Sequence, residues 1–102
     1  MDEAPVLLLT SWHLPRMRSM PRAFWRVRAL DRRTRSQQGC LRVHRWTSRR
    51  SLLLTTWWRS RAAAEAWLAS PAFRETDERL RAIPGAEARV DLRECPEGSP
   101  SG

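Results

Sequence analysis

The sequence predicts an α+β domain of order βαββαβ, with two helices covering one face of a four-stranded antiparallel sheet. Three observations predict it. Short apolar runs that alternate with period two are separated by stretches whose apolar residues recur every three to four positions. The breaks between these stretches carry Pro or Gly. A chain of 102 residues suits one domain and no more.

Residues 6–12 are apolar and bounded by Pro5 and Pro15, which makes them the first strand. From 19 to 36 the period changes. Ser19 is placed to cap a helix, Pro21 suits its first turn, and Met20, Phe24, Val27 and Leu30 recur at helical spacing with Trp25 flanking. Arg22, Arg26, Arg32 and Arg33 take much of the remaining surface of that helix. Gly39 ends it and starts a second strand over 40–46; residues 47–50, TSRR, turn the chain into a third strand over 51–58. Ser60 caps a second helix whose interior, RAAAEAWLA, has high intrinsic propensity. Pro71 removes a helical donor and restricts Ser70, so the helix kinks or restarts there before continuing over 72–83 to Pro84-Gly85. In 86–93, Ala88, Val90 and Leu92 face one way and Arg89, Asp91 and Arg93 the other, as in a half-exposed strand. Right-handed crossovers arrange these elements into a ferredoxin-like sheet with both helices on one face. The domain is expected over 1–93, with the polar 94–102 a disordered tail.

Strands one and three are apolar on both sides. Leu52, Leu54, Thr56 and Trp58 oppose Leu53, Thr55 and Trp57; Val6, Leu8, Thr10 and Trp12 oppose Leu7, Leu9 and Ser11. One helical layer buries one face, and the other would leave an unusually large apolar patch in water. A second copy is the simplest cover, so the expected assembly is a two-fold homodimer joined through its sheets, a dimeric α+β barrel.

Composition narrows the partners. No run of about eighteen apolar residues occurs, so no membrane span is expected. The opening MDEAPVLLLTSW has neither the basic region nor the cleavage site of a secretory signal, and Cys40 and Cys95 are too few and too far apart for a disulfide scaffold. Both point to a cytoplasmic protein with reduced thiols. The net charge of +8 comes from nineteen basic residues, all Arg, in a chain without Lys, Asn or Tyr. That is a skew GC-rich codons explain in large part. The basic surface still attracts anions, but without a nucleic-acid motif no specific nucleic acid is expected.

The run Gly39-Cys40-Leu41-Arg42-Val43, the hairpin, Trp58-Arg59-Ser60, and the stretch from Ala64 to Phe73 (AEAWLASPAF) together resemble the antibiotic biosynthesis monooxygenase family. The resemblance is best over residues 39–93. It implies a dimeric α+β barrel and a small-molecule aromatic substrate, but it is poorer for chemistry, since the superfamily spans several activities. Its cofactor-free branch lets an ionised, electron-rich phenol react with oxygen inside a dry aromatic pocket, and guanidinium groups suit that anion. The expected function is therefore a monooxygenase-like enzyme acting on an aromatic or polycyclic small molecule of secondary metabolism, without a cofactor.

Trp67, Asp77 and His44 are the candidate catalytic residues, and Trp58, Phe73 and Trp25 the candidate substrate-binding ones; the resemblance supplies Trp58, Trp67 and Asp77. Trp67 matches a helix tryptophan that presses on porphyrin in a haem-degrading branch. The ligand position ten residues on is Asp77 rather than His, and the first strand offers no Asn. Haem thus stands only as an alternative, together with a non-catalytic ligand-binding relative. Each site residue also has a plainer reading: Trp58, Trp67 and Phe73 as core, Asp77 as a solvated helix acid, and His13 and His44 as structural histidines without metal-ligand spacing. Asp77 and Glu78 point about 100° apart on a helix and form no acid pair. No Gly-rich phosphate loop, zinc pattern or serine elbow occurs. The remaining competitor is an RNA-binding module, with Trp12, Trp57 and Trp58 on strands one and three. The stretch SLLLTTWW, however, lacks the glycine and the central aromatics that such modules carry.

Overall fold

In a computed structural model, which describes residues 5–94, the chain forms strands β1 (Val6–His13), β2 (Cys40–Thr47), β3 (Ser51–Trp58) and β4 (Glu87–Glu94). Helices α1 (Met20–Arg35), α2 (Arg61–Leu68) and α3 (Pro71–Arg81) accompany them, with a 3-10 turn at Met17–Ser19 before α1. All strand pairs are antiparallel and lie in the order β2-β3-β1-β4, the ferredoxin-like arrangement. Strand β4 runs to Glu94, which pairs with Val6, one residue beyond the expected strand. The rest of the expected tail, 95–102, lies outside the described residues.

The proline break is complete. Ser70, extended at φ −71° and ψ 149°, ends α2 and caps α3: its hydroxyl accepts from Phe73 N at 3.3 Å and donates to the Trp67 carbonyl at 2.6 Å. Ser60 caps α2 in the same way through Ala63 N at 3.2 Å. The Ser19 side chain, by contrast, makes no cap hydrogen bond, because the 3-10 turn already leads the chain into α1.

Alternate residues of β1 and β3 divide as the pattern predicts. Val6, Leu8, Thr10 and Trp12 are buried under the helices, as are Leu52, Leu54, Thr56 and Trp58. They meet Ala23, Val27 and Leu30 of α1, Ala64 and Trp67 of α2, and Phe73 and Leu80 of α3 in one core. Helix α1 also buries two polar residues that hydrophobic periodicity does not reveal. Thr34 donates to its own helix at Leu30 O, 2.7 Å. Asp31, 4% exposed, accepts from Arg35 at 2.8 Å and from Arg45 of β2 at 2.7 Å, which ties α1 to the sheet edge.

Candidate functional site

Four aromatic rings from separate elements meet between the sheet and the helices. Trp58 closes β3, Trp67 comes from α2, Phe73 from the first turn of α3 and Trp12 from β1. Trp58 and Trp67 stack at 6.1 Å with a 27° interplanar angle; Phe73 lies 6.1 Å from Trp67 and 6.3 Å from Trp12. The Ser70-Pro71 restart brings Phe73 back against Trp67, a turn that one continuous helix could not make.

The indole N–H groups of this cluster differ. Trp58 donates to Thr56 Oγ1 at 2.8 Å, and Thr56 in turn donates to Leu8 O at 3.3 Å. Trp12 donates to Asp77 Oδ1 at 2.9 Å, while Asp77 Oδ2 accepts from Arg81 at 2.8 Å. Trp67, only 2% exposed, has no side-chain hydrogen-bond partner among the described residues.

A cleft of about 520 Å³ lies beside the end of β3. Gln37, Gln38, Arg59 and Ser60 line it together with Trp58 and Trp67, whose rings lie almost wholly beneath its surface at 0% and 2% exposure. Gly39 shapes the near side with φ +90°; a Cβ there would fall 2.7 Å from Ala63 Cβ, so only glycine lets the α1–β2 connection approach α2 so closely. Arg59 lies in the Trp58-Arg59-Ser60 motif without being a site candidate, and Gln37 and Gln38 carry no signal in the sequence, since isolated polar residues beside a glycine form no motif. Next to the cleft, Cys40 is half-buried, and burial pushes its thiol up against the opposing influence of Arg35.

The structure thus brings together Trp58, Trp67, Phe73 and Asp77 among the sequence candidates. It does not bring the other two to them. His44 lies on the sheet face away from the helices, paired with Thr55 and packed 4.3 Å from the Trp46 ring, because strand alternation sends Val43 and Arg45 inward instead. Trp25 is 61% exposed on the outer side of α1. Asp77 is not a solvated helix acid: both carboxylate oxygens are engaged. Haem does not fit this interior. His13 bonds Ser51 Oγ at 2.8 Å in an exposed position and His44 is on the far face, so neither described histidine reaches the aromatic cluster. No group of three or more His, Cys, Asp or Glu among the described residues could hold a metal ion. No described helix is long and apolar enough to cross a membrane. An RNA platform also loses two of its three tryptophans, since Trp12 and Trp58 are buried under the helices.

With this geometry in hand, comparison with known proteins is informative. The family model for antibiotic biosynthesis monooxygenases matches residues 25–79. Among solved structures, a Deinococcus radiodurans protein classed with those monooxygenases superposes with a TM-score of 0.83 at 16% identity, covering 92% of this chain and 95% of that one. Rv0793 from Mycobacterium tuberculosis gives 0.80 at 20% identity, with 95% and 99% covered. SnoaB, a cofactor-independent oxygenase from Streptomyces nogalater, gives 0.67 at 20% identity, with 95% and 98% covered. At these identities the structural matches show a shared fold. No curated protein matches the sequence significantly.

Proposed function

The chain belongs to the antibiotic biosynthesis monooxygenase family, and from that premise we propose that it is a cofactor-independent monooxygenase-type enzyme for an aromatic or polycyclic phenol. The observation that carries the reading is Trp67, whose indole N–H has no side-chain partner among the described residues and which lines a cleft together with Gln37, Gln38 and Arg59. A flat phenol seats its rings against the Trp58–Trp67 wall. Its oxyanion accepts from Trp67, and Arg59 at the rim favours the ionised form. The electron-rich phenolate reacts with O2; one oxygen atom ends in a quinone carbonyl and the other in water. The described residues offer no free carboxylate at the wall to act as base, because Asp77 is engaged by Trp12 and Arg81. The phenol proton therefore passes to solvent water at the cleft, arginine and indole stabilise the anion left behind, and Asp77 serves to fix Trp12 and α3.

The working unit in this reading is a homodimer joined through the open faces of the sheets. The half-buried Leu7, Leu9, Leu53 and Trp57 on that face support it.

A non-catalytic ligand binder is the second reading, favoured by the same engagement of Asp77. Oxygen-electrode and binding measurements with an anthrone-type polycyclic phenol separate the two. Trp67→Phe keeps most of the packing, so its stability falls by about 1–2 kcal/mol, while affinity or turnover falls at least about tenfold. Binding without oxygen uptake supports the second reading. Unchanged binding in a folded Trp67→Phe protein removes the site.

A further inference from the structure

A second, larger hollow of about 1060 Å³ lies on the outer side of the helical layer, between α1 and α3. Its floor includes Ala23, Leu80 and Ile83, and four arginines surround it: Arg18, Arg22 and Arg26 along the start of α1, and Arg79 from α3. No Asp or Glu lines it. The ion pairs of the described residues involve Arg35, Arg45, Arg81 and Arg93, so none of these four guanidinium groups has a carboxylate partner there. Because every cation of this chain is Arg, number alone says little. The signal is the clustering of four unneutralised charges around an apolar floor, which raises the local positive potential.

Trp25 borders the same hollow. At 61% it is the most exposed large hydrophobic side chain among the described residues, and its ring has two neighbours. Phe24 meets it edge-on at 5.8 Å, and the Arg28 guanidinium lies 5.3 Å from its centroid. A solvent-facing indole beside unpaired arginines has the make-up of an interface anchor.

We propose that this groove docks an acidic amphipathic helix of a partner protein, with apolar side chains against Trp25 and Ile83 and carboxylates against Arg18, Arg22, Arg26 and Arg79. The chemistry selects this occupant. A neutral apolar helix would desolvate the arginines without pairing them. A nucleic-acid backbone would pair them but offer little to the apolar floor. Arg18 to Ala29 spans on the order of 16 Å at helical rise, about three turns of a docked helix. The helices lie on the opposite side of the sheet from the proposed dimer face, so the groove remains free in that dimer.

The test uses the full chain and fluorescence anisotropy at physiological salt, with three labelled probes. The first is a designed amphipathic helix of about three to five turns with Leu and Phe on one face and Glu on the other. The second replaces each Glu with Lys, and the third is a short single-stranded RNA. The Glu helix is expected to bind at least about tenfold more tightly than the Lys helix. Trp25→Ala and the double variant Arg22→Glu, Arg26→Glu are each expected to weaken it at least about tenfold with unchanged circular dichroism. If the charge reversal disturbs folding, Arg22→Gln with Arg26→Gln gives the same comparison through a smaller loss. Equal binding of the two helices overturns the proposal, as does a Glu-helix affinity indifferent to these variants. RNA binding as tight as that of the Glu helix and indifferent to Trp25→Ala overturns it in favour of a nucleic-acid surface.

Discussion

The two faces of the sheet are made from alternate residues of the same strands, and they are finished to different degrees. On the helix side the polar side chains of the two central strands are answered from within the fold: Thr10 and Thr56 donate to strand carbonyls at 3.3 Å, Trp58 bonds Thr56, and Trp12 bonds Asp77. On the open side Leu7, Leu9, Leu53 and Trp57 stay half-buried. The Arg42 guanidinium over Trp57 at 5.4 Å and His44 against Trp46 only partly shelter their rings. The helix side is a closed aromatic core beside a cleft, whereas the open side is an apolar surface without a complete cover. The difference teaches that similar strand composition serves two purposes, according to what lies above it.

Trp58→Ala breaks the comparison most severely. It removes the stack under Trp67 and strands Thr56, and a buried Trp-to-Ala change costs about 3–5 kcal/mol. That is a large share of a small domain's stability. Chemical denaturation measures it, and a loss under about 1 kcal/mol would mean that the interior rings are not core.

The open face is tested by Leu53→Asp. Sedimentation should find the wild type at about twice the chain mass of 11.9 kDa. The variant should associate at least about thirtyfold more weakly, while its circular dichroism stays native. A wild-type protein that remains monomeric at micromolar concentration would contradict the sheet-to-sheet dimer.

The smallest effect concerns Cys40, at the margin between the two faces. Because burial raises its pKa, the thiol stays protonated at neutral pH and its thiolate forms only at higher pH than in an unfolded chain. In a Cys95→Ser variant, alkylation of Cys40 should be slow near neutrality and rise late. The sign for stability follows: the contribution is full below the unfolded thiol pKa of about 8.5 and is lost as pH climbs above it. Alkylation at neutral pH as fast as that of free cysteine would contradict the burial.

Much of this fold was legible in the sequence, because alternation in β1, β3 and β4, the Ser60 cap and the Ser70-Pro71 break are local signals, whereas the role of Ser70 as the cap of α3 came only with the structure. Asp31 was not, since its partner Arg45 lies across the fold on β2 and only the Arg35 pairing at i,i+4 is visible in one helix. The site was legible in part. Sequence and resemblance pointed to Trp58, Trp67, Phe73 and Asp77, which do converge, but the facing of His44 depends on the β-bulge between Cys40 and Arg42, which resets the alternation of β2. The cleft rim at Gln37, Gln38 and Arg59 arises where two loops meet, and no periodicity encodes such a meeting.

The separation of roles between the two faces is tested most directly by the indole N–H resonances of 15N-tryptophan-labelled protein, assigned through single Trp→Phe variants. A polycyclic phenol should move the Trp67 signal and leave Trp46 and Trp57 in place, while dilution should move Trp46 and Trp57 and leave Trp67 in place. A phenol that shifts Trp46 or Trp57 and spares Trp67 would contradict the account.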